Sequence, residues 1–163
     1  MKRRIPVLMA GVLFCLTTAA LGEGLFEDRL VVAVEKGLRG PRGMPGDIVQ
    51  LKDDSLLMSY TRDANIMAVK SADQGKTWGE SFTLVPKPQP PAKGWYAHPG
   101  FLRLENGEIL LSYIYSTHPT TPYFGHNYYR RSADEGKTWT DQFIMTPHPG
   151  YCIVHNDRLL TLS

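Results

Sequence analysis

An eight-residue segment that occurs twice in almost the same form constrains the fold of this chain most strongly. Residues 71–78 read SADQGKTW and residues 132–139 read SADEGKTW. A short acidic side chain can accept backbone N–H bonds across a turn, glycine can take a positive φ, and tryptophan can cover the adjacent sheet. Each copy is therefore predicted to be a structural turn between strands. A catalytic pairing of Asp73 with Asp134 is disfavoured, because each carboxylate is explained within its own repeat.

A predicted hairpin precedes each copy of this segment. Residues 51–60 (LKDDSLLMSY) align with residues 104–113 (LENGEILLSY), and in both an Asp-, Asn- or Gly-rich turn is followed by an apolar strand. The strand before each turn is predicted at 48–51 and 101–104. A third strand leads into the repeated segment, at 66–71 and 128–132, and a fourth follows near 81–85 and 142–145. Four strands thus form one unit, and no helix is predicted in the mature chain.

The unit starts a third time near the end of the chain, where HPGY at 148–151 repeats HPGF at 98–101. The units are predicted at about 45–90, 98–147 and 148–163, and the last is incomplete. The hairpins lie 53 residues apart but the SADxGKTW segments lie 61 apart, which places about eight additional residues at 116–127. Four-stranded units that repeat at this length are typical of a β-propeller, whose blades pack face to face.

The N-terminal region has the pattern of an export signal. Three basic residues at 2–4 precede an apolar run over 5–21, and the run ends in a small-x-small cleavage pattern. Residues 1–22 are therefore predicted to be a signal peptide, and residues 23–163 a partial propeller in the periplasm or outside the cell. The alternative is a membrane anchor, but the run contains Pro6 and is shorter than the roughly 20 apolar residues of a spanning helix. Without the signal the chain is nearly neutral, which disfavours nucleic acid as a partner.

Two S-x-D-x-G-x-T-W segments, each behind a matching hairpin, resemble the aspartate boxes of the sialidase (neuraminidase) superfamily and its bacterial neuraminidase repeats. The resemblance covers roughly residues 30–163 and implies an all-β, sialidase-type β-propeller with six blades, of which this chain holds two and the start of a third. The same box also occurs in other glycosidases and in binding or sorting domains. The residues that match the box are Ser71, Asp73, Gly75, Thr77, Trp78, Ser132, Asp134, Gly136, Thr138 and Trp139.

The resemblance implies an exported exo-sialidase-type glycoside hydrolase, which releases terminal sialic acid from glycoconjugates. In that family an Arg in an Arg-Ile-Pro motif binds the sugar carboxylate. Arg42 is the candidate here, although it stands three residues before Pro45 rather than two. An Arg and an acid/base Asp in the loop between strands two and three of the first blade correspond to Arg62 and Asp63. The remaining arginines and the Tyr nucleophile with its Glu lie in later blades, so the site is expected to be incomplete in this chain.

Antiparallel strands alternate in direction, so the loop at 61–65 and the segment at 95–100 should share one face, with the boxes on the other. His98 recurs as His148 in the next unit, which favours a structural role before the first strand, but its face also makes it a candidate substrate-binding residue. The additional segment at 116–127 could stack on a sugar or be a decorative loop. Arg62 and Asp63 could equally form a solvated loop ion pair.

Further expectations concern partners. His118 and His126 have no acidic or cysteine ligand at a useful spacing, so no metal and no cofactor are expected. The alternative to a hydrolase is a non-catalytic propeller segment that binds glycans or another protein. No membrane partner is expected after signal cleavage. Self-association through the open blade edge is expected, because an incomplete ring exposes apolar sheet faces.

Overall fold

Two antiparallel sheets of four strands make up the part of the chain that the computed structural model describes, which is residues 46–117, 125–148, 150 and 159–161. Each sheet is a meander in which neighbouring strands are consecutive, and no helix occurs within these ranges. The all-β prediction is confirmed. The proposed signal peptide, Arg42, His118 and most of the third unit lie outside the described residues. The strands are β1 (Gly46–Gln50), β2 (Leu56–Arg62), β3 (Asn65–Ser71), β4 (Phe82–Val85), β5 (Trp95–Arg103), β6 (Ile109–Ser116), β7 (Gly125–Ser132) and β8 (Phe143–Ile144).

The first hairpin of each sheet closes through the same backbone bonds. The N–H of Asp54 donates to the carbonyl of Leu51 over 3.0 Å, and the N–H of Gly107 donates to the carbonyl of Leu104 over 2.9 Å. Asp54 and Gly107 occupy the same turn position with φ of 62° and 83°. Glycine and aspartate tolerate this left-handed conformation better than most residues, which explains why the two turn sequences predicted hairpins correctly.

Three predicted boundaries were wrong, all on the side of the sheets away from the boxes. Strand β5 starts at Trp95 rather than at 101, because residues 95–97 pair with an extended β6 across a bulge between Ala97 and Gly100. Strands β2 and β3 are joined by only Asp63 and Ala64, not by a loop over 61–65. The additional segment is restricted to 117–124, since its predicted ends belong to β6 and β7.

The sheets pack face to face, as neighbouring blades do, around one apolar core. Phe101 of the second sheet is 3% exposed, and its ring stacks on Trp139 with centroids 6.4 Å apart. The backbone N–H of Phe101 also donates to Asp47 Oδ2 of the first sheet over 2.7 Å. The core residues are Val49, Leu51, Leu57, Ile66, Ala68, Val85, Tyr96, Phe101, Ile109, Leu111 and Tyr113.

Candidate functional site

Each aspartate box is a turn that its own side chains hold together. In the first box Asp73 accepts bonds from the backbone N–H and the hydroxyl of Thr77, over 2.7 and 2.6 Å. Ser71 donates to Asp73 over 2.9 Å and accepts from the N–H of Gly75 over 2.8 Å. The indole of Trp78 closes the turn by donating to the carbonyl of Gly75 over 3.1 Å. The polar atoms of the box are thus used within the turn.

The second box repeats this geometry closely. Asp134 accepts from the N–H and hydroxyl of Thr138 over 2.8 and 2.6 Å, and Trp139 donates to Gly136 over 3.1 Å. In both boxes the bonds from threonine hydroxyl and backbone stabilise the carboxylate and lower the pKa of Asp73 and Asp134 from 3.8 to about 2. These aspartates are ionised hydrogen-bond acceptors at neutral pH. The geometry suits a structural role and leaves no proton for acid catalysis.

The boxes and the turn between β2 and β3 lie on opposite faces of the molecule. On one face the β1–β2 turn meets the second box, where the backbone N–H of Lys52 donates to Glu135 over 2.9 Å. On the other face the N–H of Tyr96, at the start of β5, donates to the carbonyl of Ala64 over 3.1 Å. The alternation of strand directions therefore placed these loops correctly, and we refer to the two sides as the box face and the turn face.

Arg62 and Asp63 are consecutive at the turn face. Asp63 and Ala64 have φ of 51° and 66°, the left-handed pair of a two-residue type I′ hairpin turn. Asn65 holds this turn, because its side-chain amide donates to the carbonyls of Arg62 and Asp63 over 3.2 and 3.0 Å. Its oxygen accepts from the N–H of Lys87 over 2.7 Å. The turn is therefore tied to the segment that leads into the second sheet.

The two side chains at this turn have different surroundings. The guanidinium carbon of Arg62 lies 5.3 Å from the centroid of the Tyr60 ring, within cation–π range, and Arg62 is half-buried. Asp63 is exposed. The guanidinium is thus oriented by the aromatic ring, whereas the Asp63 side chain is exposed to solvent at the neighbouring position of the turn.

His98 differs from the other candidates in being buried, with 7% of its surface exposed. It lies in the bulge of β5 with a φ of 53°. This is a position inside a strand rather than in a loop before one. His126, the described member of the other histidine pair, is in β7, where its Nδ1 lies 3.0 Å from the carbonyl oxygen of Thr146. Within the described ranges no group of His, Cys, Asp and Glu is placed to hold a metal ion.

A cluster of tyrosines in the second sheet was not predicted from the sequence. Tyr96 and Tyr113 meet edge to face with centroids 5.1 Å apart, and Tyr113 stacks on Tyr128 at 6.2 Å. Burial raises the pKa of all three phenols. Arg130 donates from Nε to the Tyr113 hydroxyl over 3.0 Å, and that hydroxyl donates to Gln142 over 3.1 Å. The phenol rings contact one another, and the hydroxyls of Tyr96 and Tyr113 both donate to Gln142. Only the alternation of tyrosines along β6 could have suggested this cluster.

Arg103 and Glu135 form a second feature that sequence reasoning missed. The guanidinium donates to both carboxylate oxygens, and Arg103 Nη2 also donates to the carbonyl of Gln50 over 2.7 Å. The bonds from the Arg103 guanidinium, followed by the bond from the Lys52 backbone N–H, lower the pKa of Glu135 from 4.5 to about 2. The two repeats differ at these positions, since Gln50 and Gln74 replace the charged pair in the first unit. Because both positions differ together between the repeats, the sequence could have indicated that Arg103 and Glu135 contact each other.

The box face carries a groove of about 390 Å³ between the first sheet and the second box. Its floor includes Leu57 and Phe82, and its rim includes Lys52, Lys70 and Glu135. Lys52 lies 3.4 Å from Glu135 and Lys70 lies 3.3 Å from Asp53, so two of the rim lysines are paired. The groove is on the face opposite the turn face, and Arg62, Asp63 and His98 are not among its lining residues.

No protein-family model and no curated protein sequence matches the chain. Among solved structures, one described as Hadza microbial sialidase Hz136 has a TM-score of 0.47 and 16% identity, over 61% of this chain and 25% of that one. A protein of unknown function from Dyadobacter fermentans DSM 18053 has a TM-score of 0.47 and 20% identity, over 64% and 37%. This chain thus spans between a quarter and two fifths of their lengths. No described residue belongs to a helix that could cross a membrane.

Proposed function

We propose that this chain is part of an exported, sialidase-type glycoside hydrolase that acts on glycans ending in sialic acid. The observation that carries the proposal is the juxtaposition of Arg62 and Asp63 at a rigid turn on the face opposite the boxes. A guanidinium is a permanent, bidentate partner for a carboxylate, which is the group that distinguishes sialic acid from neutral sugars. The likeness of the sequence to aspartate-box repeats supports the same assignment.

In this proposal Arg62 and Asp63 have different roles. Arg62 binds the sugar carboxylate, and its stacking on Tyr60 limits the orientations that it can adopt. Asp63 protonates the leaving glycosidic oxygen and then takes a proton from the attacking water. The acid step requires that the Asp63 carboxyl lie within hydrogen-bond reach of the glycosidic oxygen when substrate is bound. Arg42 would be a second ligand of the sugar carboxylate. His98 would contact the substrate from its position within β5.

The test is release of the aryl group from an aryl sialoside by the full chain. We expect Asp63→Asn to lower kcat/KM by about a hundredfold or more, since general acid–base catalysis contributes about 10² to 10⁴. Arg62→Ala should mainly raise KM. Asp54→Asn is a matched control, because Asp54 is also an exposed aspartate at a left-handed turn position, with φ of 62°, but lies on the box face. Folded wild-type protein without turnover would overturn the enzymatic assignment for this chain.

A second candidate function is glycan binding without catalysis. The Arg62 guanidinium, half-buried over the Tyr60 ring, favours it, because a positioned permanent cation can bind the carboxylate of an anionic sugar without chemistry. Calorimetric titration with a sialylated trisaccharide separates the two. If the chain only binds glycans, the Asp63→Asn variant keeps its affinity for the trisaccharide and the Arg62→Ala variant loses it. In that case neither the wild type nor either variant releases sialic acid.

A further inference from the structure

The turn between β5 and β6 contains an asparagine followed by a glycine, Asn106 and Gly107. Asn106 is exposed, and Gly107 has a φ of 83°. Thr161 lines a shallow groove together with Asn106, which stays accessible to water. In such a pair the backbone nitrogen of the glycine can approach the side-chain amide carbon of the asparagine, because glycine has no side chain in the way. Asparagine is also among the chemically labile residues of proteins. This turn therefore contains the reacting groups of a spontaneous modification.

We propose that Asn106 is a deamidation site, and that one of its two products, isoaspartate, weakens the ion pair of Arg103 with Glu135. The Gly107 nitrogen loses its proton to water and attacks Cγ of Asn106, the bond from Cγ to Nδ2 breaks, and ammonia leaves a cyclic succinimide. Water then opens the ring. Cleavage of the new bond to Cγ gives aspartate, and cleavage of the original peptide bond gives isoaspartate. Either product carries one additional negative charge, and water is the only other reactant.

Two hydrogen bonds restrain this reaction in the folded chain. The N–H of Gly107 donates to the carbonyl of Leu104 over 2.9 Å, and Oδ1 of Asn106 accepts from the N–H of Glu108 over 3.1 Å. The attacking nitrogen and the side-chain amide are thus both held until the turn opens. Opening of an exposed turn is a local event that costs less free energy than global unfolding. Deamidation is therefore slower in the folded chain than in the unfolded chain, but it does not require the whole chain to unfold.

The first unit of the chain shows that the aspartate product fits this turn. The hairpin turns of the two units correspond, so Asp53 stands where the second unit has Asn106. Oδ1 of Asp53 accepts from the N–H of Ser55 over 3.2 Å, which is the bond that Asn106 makes with Glu108. An aspartate formed at position 106 keeps this acceptor oxygen and leaves the main chain at its original length. The folded turn therefore accommodates the aspartate product.

Isoaspartate changes the turn, because it inserts an extra carbon atom into the main chain before Gly107. The carbonyl of Gly107 accepts a bond from Nη1 of Arg103 over 2.9 Å, and the same nitrogen donates to Oε1 of Glu135 over 2.9 Å. Gly107 thus helps to orient the guanidinium for its contact with the carboxylate. Nη2 of Arg103 also donates to the carbonyl of Gln50 in the first sheet. Displacement of Gly107 therefore weakens a contact that joins the two sheets.

Mass spectrometry of the aged full chain tests whether Asn106 is modified. The folded protein is incubated at mildly alkaline pH and then digested with trypsin, which releases residues 104–130 as one peptide. This peptide contains both Asn106 and Asn127, which is buried and followed by tyrosine. We expect aspartate and isoaspartate to accumulate at position 106 while Asn127 stays intact. Asn106→Gln is the matched control, because its longer side chain closes the ring less readily, and it should stay unconverted over the same period.

Comparison with the same chain in urea tests the restraint by the turn. We expect Asn106 to convert about tenfold or more slowly in the folded chain, which corresponds to a free energy of turn opening of about 1.4 kcal/mol or more. Equal rates in the two states would show that the bond from Gly107 to Leu104 does not restrain the reaction. A folded chain in which Asn106 stays unmodified, or in which Asn127 converts as fast, would overturn the assignment of the site.

Urea unfolding tests the effect on the ion pair. Anion exchange isolates the aged chains by their additional charge, and Asn106→Asp supplies the pure aspartate product. Asn106→Asp should unfold at the midpoint of the unaged wild type, whereas the aged fraction, which contains isoaspartate, should unfold at a lower midpoint. In Glu135→Gln, where the guanidinium has already lost its carboxylate partner, ageing should lower the midpoint much less. Equal midpoints for the aged and unaged wild type, or an undiminished loss in Glu135→Gln, would contradict the connection to the ion pair. None of these measurements depends on enzymatic activity.

Discussion

Arg103 and Glu135 are joined by two parallel bonds, from Nη1 to Oε1 over 2.9 Å and from Nη2 to Oε2 over 2.8 Å. The pair links the end of β5 to the second box, and both partners also reach the first sheet. Arg103 donates to the carbonyl of Gln50, and Glu135 accepts from the N–H of Lys52. A single ion pair thus joins the box, its own sheet and the preceding sheet.

Removal of this carboxylate should therefore destabilise the packing between the sheets. We expect Glu135→Ala to lower the free energy of unfolding by about 1–3 kcal/mol, because Arg103 and the Lys52 N–H lose a charged acceptor. Urea unfolding measures the change. Glu80→Ala, at an exposed position near the first box, should change stability by less than about 0.5 kcal/mol. Equal losses in the two variants would contradict the role given to Glu135.

The boxes should make the fold sensitive to acid. Asp73 and Asp134 have folded-state pKa values lowered from 3.8 to about 2, so between these values the unfolded chain binds more protons than the folded chain. Their contribution to stability is complete above pH 3.8 and is lost as the pH falls through about 2. Urea midpoints at several pH values across this window should fall steeply for the wild type.

The variant Asp73→Asn with Asp134→Asn checks the origin of that slope. It should be less stable at neutral pH, with a shallower dependence on pH across the same window. Asp141→Asn, at an exposed position outside the boxes, should keep the full slope. A double variant that loses stability in acid as steeply as the wild type would place the sensitive groups elsewhere.

The junction between the sheets should depend on Phe101. Phe101→Ala should cost about 3–5 kcal/mol, because the ring is 3% exposed and stacks on Trp139. Phe143→Ala provides the comparison within the same sheet. Phe143 also stacks, on Tyr129 at 5.4 Å, but is 44% exposed. Removal of the Phe143 ring should lower the free energy of unfolding by less than about 1.5 kcal/mol. Denaturant unfolding of both variants measures the two losses, and a larger loss for Phe143→Ala would contradict the role of Phe101.

The turn that carries Asp63 should tolerate, and gain from, a glycine. Ala64 has a φ of 66°, and a left-handed conformation costs a non-glycine residue roughly 1–2 kcal/mol. Glycine at position 64 would avoid this cost, although part of the stabilisation is offset by the greater conformational freedom of glycine in the unfolded chain. We expect Ala64→Gly to stabilise the protein by about 0.5–1 kcal/mol in thermal unfolding. Ala68→Gly, in the buried centre of β3, should have the opposite sign.

The predictions that succeeded rest on local chemistry. Asp54, Gly107 and the box residues bond within a few positions of themselves, so their turns can be inferred from the sequence directly. The failed boundaries depend on long-range pairing instead. Residues 95–97 join β5 only because β6 extends to Ser116, and the His-Pro dipeptide at 98–99 suggested a loop rather than the bulge of a strand. Nothing local to residue 95 indicates this partner.

The candidate site was predictable only in part. The alternation of strands placed Arg62 and Asp63 on the face away from the boxes, and the structure agrees. The tight turn at Asp63 and Ala64 was missed, because its left-handed pair lacks the glycine that usually signals such a turn. The burial of His98 could not be foreseen either, since it follows from the register of β5 against β6. The roles of these residues in binding and catalysis stay predictions.

In each aspartate box the serine, aspartate, threonine and tryptophan side chains complete their hydrogen bonds within eight residues of chain. Contacts of such short sequence separation lose little chain entropy on closure and form quickly. During synthesis, β1 to β4 and the first box leave the ribosome before the strands that later cover Leu57 are made. We therefore expect each meander to form early and separately, and docking of the second sheet on the first to be the slow step.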